Sequence, residues 1–256
     1  MQRRFSWTLA LILLAAAVVG WLALLPYTLA LGGQSTISAQ DAALGLAQAV
    51  VMYGLLVGLG LLLANAIGLG APLLEAALRR QSTGEAVRAT LPISILVGVV
   101  VALLVVGADR LVFQPAIMAE QGDRAAKLFA TGVNAGPIKS FLASFYGGIN
   151  EEIMLRLFFM SLLAWLGHFV SKTAEGKRTA AVLWIANILA ALLFGLGHLS
   201  FTATLAALTP LVVTRGLLLN GLVGIVCGYL YMKRGLESAI LGHFSADLVL
   251  HVIFGI

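Results

Sequence analysis

An all-α, polytopic bundle of seven to eight transmembrane helices is the fold class this sequence predicts, on three observations. Of its 256 residues 61% are hydrophobic and only 11% charged, against roughly a quarter charged in an ordinary soluble domain. The mean hydropathy is +1.02, more apolar surface than a soluble globule could hide. Several uncharged stretches reach the roughly 20 residues that cross a bilayer as helix. The alternating pattern of a membrane barrel is absent, so closed helices are left to satisfy the backbone in lipid. The chain reads as a single integral membrane domain over 1–256, with no internal repeat and no separate soluble domain.

The first apolar segment, near 5–31, follows Arg3 and Arg4 and ends around Pro26 and the pair Gly32 and Gly33. Its apolar run is longer than the roughly 7–15 residues of a signal-peptide core, so it reads as an uncleaved membrane helix. The second segment, near 42–68, is closed by Gly70 and Pro72. The third, near 91–108, lies between Arg88 and Asp109. The fourth, near 139–166, carries "NEEIMLRLFF" at residues 150–159. The fifth runs near 181–199, the sixth near 203–232 and the seventh near 236–256. Pro210 and Arg215 interrupt the sixth. Either Pro210 splits it into a short re-entrant piece and a full span, giving eight helices, or seven remain. Between the third and fourth segments, residues 109–138 mix apolar and charged residues at roughly helical spacing. An interfacial helix and an ordinary surface connector are both open there.

The net charge of +5 does not point to nucleic acid, because the Lys and Arg residues sit in short loops. Arg3, Arg4, Arg79, Arg80, Arg88, Lys172, Lys177, Arg178, Lys233 and Arg234 share one side if the helices alternate. Arg110, Arg124, Lys127 and Lys139 take the other, among Asp109, Glu120 and Asp123. That asymmetry predicts a cytoplasmic N-terminus. The single cysteine, Cys227, has no partner for an intrachain disulfide and reads as packing.

Five places put ionisable groups inside these spans: Glu151 with Glu152 and Arg156, then His198, Arg215, His243 with Asp247, and His251. A charge at the bilayer centre costs roughly 2.5–3.5 kcal/mol on insertion scales. Glu152 and Arg156, spaced i, i+4 with the acid N-terminal, are expected to neutralise each other. Glu151 points about 100° away around an α-helix and is left over. His243 and Asp247 project from one face at the same spacing.

Taking Trp165 and Trp184 as cytoplasmic-side anchors, Glu151 and His198 each lie about 21 Å in at 1.5 Å per residue. From Arg234, Asp247 lies about 20 Å in and His243 about 14 Å. Counting from Arg178 instead would carry His198 to the opposite face. Buried polar groups in membrane bundles often only join helices, and Arg215 is expected to be structural or interfacial. His168 is expected just past the fourth helix, and His251 either shares the face of His243 or is a bystander.

Glu151-Glu152 with Arg156 matches EExxxR, Phe194 with His198 matches FxxxH, and His243 with Asp247 matches HxxxN/D. In order and placement these resemble the CPBP family, the CAAX-protease and bacteriocin-processing (Abi-type) membrane proteins. The resemblance covers about 139–250, as a catalytic core, while 1–138 are generic helices and a connecting loop. It implies that Glu151 is the general base that activates water, assisted by His198. Glu152 and Arg156 would be the supporting pair, and Phe194 would pack beside the site. His243 and Asp247 would stabilise the oxyanion or orient the substrate carbonyl. It further implies a membrane-associated peptide or protein substrate, possibly lipidated, and a bacterial inner (cytoplasmic) membrane. Asp247 departs from the amide form of the motif: an ionised Asp repels an oxyanion, whereas a protonated one can donate to it.

Four functions compete on these residues. The first is a metal-independent, glutamate-type intramembrane endopeptidase with no cofactor. The second is a zinc form of the same hydrolysis, with Glu151, His198 and His243 as ligands, although HExxH is absent. The third is a non-catalytic membrane scaffold or bacteriocin-immunity protein. The fourth is a proton-coupled transporter, against which stands the lack of similar halves.

Overall fold

The computed structural model describes residues 5–174 and 178–256; Arg3, Arg4 and Lys177, used above for orientation, lie outside the described residues. Among the described residues the secondary structure is helical, with one isolated β-bridge between Lys172 and Arg178 and no strand. The elements run α1 (Trp7–Leu31), α2 (Ala39–Ile67), α3 (Pro72–Leu78) and α4 (Gly84–Ala108). A π-helical turn (Asp109–Phe113), α5 (Gln114–Gln121), a 3₁₀ segment (Gly122–Phe129) and α6 (Thr131–Ala135) follow. Next come α7 (Pro137–Phe145), two π-helical segments (Tyr146–Glu151 and Ile153–Met160) and α8 (Ser161–Val170). The chain continues through α9 (Ala180–Thr202), α10 (Pro210–Arg234), α11 (Leu236–Asp247) and a π-helical segment (Leu248–Ile253).

Seven helical runs are long and apolar enough to cross a membrane: Trp7–Leu31, Ala39–Ile67, Gly84–Ala135, Pro137–Val170, Ala180–Thr202, Pro210–Arg234 and Leu236–Ile253. The protein is an integral membrane protein. Helix starts follow side-chain chemistry: Ser6, Ser38, Thr179 and Thr209 each accept an N–H three residues on, satisfying donors that a first turn leaves free.

Of the two alternatives for the sixth segment, the seven-span one is found among the described residues, and no re-entrant helix precedes Pro210. The fifth span extends to Thr202, and residues 203–209 form a turn leading to Pro210 at the first position of α10. Proline has no N–H to offer and fits that position without loss. Gln121 holds the turn through both directions of a pair with Ala207, and Thr209 donates to Glu120 at 2.7 Å. Residues 109–135 fold mostly as short helical pieces. Two boundaries also move. Arg88 lies within α4, and His168 lies in the last turn of α8. Hydropathy marks where lipid contact begins, whereas a helix continues into the interface until something stops it.

The helices pack in a few long contacts: α9 along α10, α10 on α11, α11 on α4, α1 on α7, and α2 on the π-helical segment 153–160. Contact between α4 and α11 requires Gly98, where an added Cβ would stand 2.1 Å from the Gly242 carbonyl oxygen. Polar side chains stitch the bundle. Ser94 meets Ser238 at 2.6 Å, Asn187 donates to the Ile225 carbonyl at 3.0 Å, and Asn150 donates to the Ala17 carbonyl at 2.8 Å. At one end of the bundle, Arg178 donates to the Ile67 carbonyl and Arg234 to the Ala89 carbonyl at 3.0 Å. The Leu236 N–H reaches the Gly70 carbonyl at 2.9 Å at that same end. Ile67 is the last residue of α2, so Arg178 meets a helix C-terminal carbonyl, which carries partial negative charge.

Candidate active site

The motif "NEEIMLR" sits where the fourth span leaves α-helical register. Two π-helical segments flank Glu152. Such wide turns shift successive side chains around the axis and frequently mark functional sites. Glu152 and Arg156 still meet as the sequence predicts, Nε to Oε2 at 3.3 Å, both fully enclosed. The Arg156 Nη2 donates to the Gly224 carbonyl at 2.8 Å, and its guanidinium carbon lies 5.7 Å from the Phe194 ring centre.

Glu152 does more than neutralise Arg156. Its Oε1 lies 2.8 Å from the Nδ1 of His243 on α11. With Glu152 as the acceptor of this bond, Nδ1 carries the hydrogen and Nε2 is left for the cavity. Nε2 stands 3.6 Å from Glu151 Oε2 and 3.6 Å from Asp247 Oδ1. The sequence pairs His243 with Asp247; the structure adds the shorter contact with Glu152, which sequence spacing across 91 residues cannot reveal.

On α9, the His198 Nδ1 lies 2.9 Å from the Phe194 carbonyl oxygen. A carbonyl only accepts, which leaves Nε2 of a neutral His198 as the basic nitrogen. The Phe194 ring stands edge-on to His198 at 4.6 Å and to His243 at 5.4 Å. Phe194 therefore spaces the two imidazoles and covers Arg156.

Glu151, His198, His243 and Asp247 line one cavity of about 260 Å³. That volume admits several waters, each of which occupies about 30 Å³ in the liquid. His251 lines it as well, with Nε2 3.8 Å from Asp247 Oδ1. Leu24, Leu128, Leu205, Leu219 and Val223 supply apolar wall. The sequence-predicted site residues are thus together, from the fourth, fifth and seventh spans. Sequence reasoning missed Gly147, whose added Cβ would stand 2.0 Å from Asp247 Oδ2. It also missed the partner of Arg215: Asp109, read as a loop charge, is buried and holds Arg215 by two bonds of 2.6 and 2.7 Å. The structural role expected for Arg215 has this pair as its physical basis, and the Phe129 ring lies 5.2 Å from its guanidinium carbon.

A zinc site was one sequence expectation, with Glu151, His198 and His243 as ligands. Among the described residues the group whose ligand atoms lie within 4.8 Å of one another is a different one, Glu152, Cys227 and His243. It does not fit a dication. Glu152 is already committed to Arg156 and to His243 Nδ1, and the buried guanidinium would oppose a second positive charge in low dielectric.

Residues 134–249 match the family model described as type II CAAX prenyl endopeptidase Rce1-like. No curated protein and no solved structure matches the chain.

Proposed function

From the premise that this chain belongs, through residues 134–249, to the Rce1-like CAAX protease family, we propose that it is an intramembrane endopeptidase working by water activation without a metal. The observation that carries this reading is the shared cavity: a carboxylate, two imidazoles and a second acid from three spans around one water-sized hollow. Peptide hydrolysis needs a base for water and donors for the oxyanion, and these residues supply both.

Glu151, assisted by the basic Nε2 of His198, takes a proton from a cavity water. The resulting hydroxide adds to the scissile carbonyl carbon. His243, with Nδ1 held by Glu152, presents Nε2–H to the developing oxyanion as an imidazolium. Collapse breaks the C–N bond, and the proton held by Glu151 passes to the leaving amine, giving a carboxylic acid and an amine; the acid's proton then passes to the amine through cavity water, so the products leave as carboxylate and ammonium. Glu152 and Arg156 fix His243 in position. No step uses Cys227 or a metal.

The substrate in this reading is a membrane-associated peptide or protein. The apolar wall of Leu24, Leu128, Leu205 and Leu219 suits an apolar or lipid-bearing segment. The loop charges support a cytoplasmic N-terminus, and the family resemblance supports a bacterial inner membrane. The deciding experiment places wild type, Glu151→Gln and His198→Ala in vesicles with an internally quenched peptide ending in a prenylated CAAX box. Cleavage by wild type and loss in both variants, at unchanged melting temperature, is expected; full activity in either variant rejects the assignment. Comparing membrane proteomes with and without active protein would identify natural substrates through new C-terminal ends.

A further inference from the structure

The assigned roles leave a charge problem at Asp247. Its Oδ1 lies 3.6 Å from the same His243 Nε2 that would meet the oxyanion. An ionised carboxylate there competes for the hydrogen and repels the developing charge. Counting the cluster sharpens this. Glu151, Glu152 and Asp247 bring three carboxyls, and Arg156 is the one permanent cation among them. With all three ionised, two negative charges would exceed what Arg156 offsets, in surroundings where net charge is costly. A protonated His243 meets one of them.

The second has a candidate partner two residues beyond the segment that matches the family model. His251 sits on the π-helical segment after α11, with Nε2 3.8 Å from Asp247 Oδ1. Its Nδ1 bonds the main-chain oxygen of Ile256. That oxygen only accepts, so Nδ1 carries a hydrogen, and Nε2 is the position that gains or loses a proton. The His251 side chain is 35% exposed and lines the cavity, so its proton can exchange with cavity water. The titratable and charged groups that share the cavity with it are Asp247 and His243 of α11, Glu151 of the fourth span, Tyr27 of α1 and Arg215 of α10. Arg215 is committed to Asp109.

We infer that His251 is a positioning residue which, as an imidazolium, supplies the countercharge of Asp247 and so frees His243 Nε2–H for the oxyanion. The inference rests on the hydrolase reading of the cavity. It explains how Asp occupies a place where an amide would serve with less difficulty: this chain pairs the acid with a cation one turn on.

The test is a cycle of four proteins: wild type, Asp247→Asn, His251→Asn and the double variant. Asparagine at 251 keeps an N–H for the Ile256 oxygen but carries no charge. With the prenylated CAAX peptide, His251→Asn is expected to lower kcat about tenfold or more while KM stays within about twofold. In the Asp247→Asn background the same change should alter kcat by less than about twofold, because no carboxylate is left to neutralise. Equal loss in both backgrounds, or no loss in wild type, overturns the inference. Melting temperatures of the same four proteins report the pairing independently of turnover. Non-additive shifts support it and additive shifts reject it. Should wild type leave the peptide uncut, the hydrolase reading fails, and the melting cycle still decides the charge pairing.

Discussion

Glu152 holds His243 and Arg156 at once, with Oε1 2.8 Å from the imidazole Nδ1 and Oε2 3.3 Å from the guanidinium Nε. One fully enclosed carboxylate therefore joins the fourth span to the seventh and fixes which nitrogen of His243 faces the cavity. The neighbouring acid, Glu151, has no such duty. Its side chain is 17% exposed toward the hollow.

This division predicts opposite behaviour for two adjacent glutamates. Glu152→Gln leaves Arg156 buried without its countercharge, and breaking an enclosed ion pair costs about 3–5 kcal/mol. Thermal unfolding in detergent should show a clear fall in melting temperature together with lost cleavage. Glu151→Gln should lose cleavage at wild-type melting temperature. Indistinguishable melting curves for the two variants would reject the separation of roles.

Gly147 should be as sensitive as an acidic residue of the site. An alanine methyl there would meet Asp247 Oδ2 at 2.0 Å and approach His243 Nε2 at 3.5 Å. Asp247 must move, and misplacement of a polar group at a reacting centre is expensive. Gly147→Ala should lower kcat about tenfold or more. Gly54, whose added Cβ meets nothing within 4 Å, is the control. Gly54→Ala should leave cleavage unchanged and add up to about 1 kcal/mol of stability through the helix preference of alanine.

Metal independence is checked through Cys227. It is the soft donor of the gathered group Glu152, Cys227 and His243, and the proposed steps do not use it. Cys227→Ala should keep kcat within about twofold of wild type, and 1,10-phenanthroline should leave cleavage intact. Stoichiometric zinc in purified active protein, lost with Cys227→Ala along with activity, would replace the water-activation reading by a metal one.

Much of this fold and site could be read from residue types. Seven spans follow from hydropathy because lipid demands it of every residue on the outside of a bundle. Glu152 with Arg156, and His243 with Asp247, are visible because both pairs lie within one helix, where spacing dictates neighbours. The link from Glu152 to His243 crosses between spans, and periodicity carries no information about which helices touch. The π-helical register around Glu151 was likewise hidden: the sequence suggests an α-helix, and the wider turn depends on packing. Asp109 looked like a loop charge because it follows the third apolar run, yet helix continues past it. Hydropathy cannot separate an acid in the headgroup region from one folded inward onto an arginine 106 residues away.

That last pair yields the sharpest stability prediction. Arg215 lines the cavity and is 14% exposed, whereas Asp109 is 1% exposed. Removing either partner strands the other, but the two stranded groups differ. With Asp109→Ala, the guanidinium retains the Phe129 ring at 5.2 Å and can lean on its long stem toward cavity water. With Arg215→Ala, a short carboxylate is left enclosed and has no such reach. Arg215→Ala should therefore destabilise more than Asp109→Ala, toward the upper end of the roughly 3–5 kcal/mol seen when buried pairs are broken. The joint variant Asp109→Leu with Arg215→Met removes both desolvation costs and should regain most of the loss. Melting temperatures of the four proteins measure this directly. The reverse order of the single variants, or a joint variant no more stable than Arg215→Ala, would show that the ion pair does not hold the segment 109–135 to α10 in the way described.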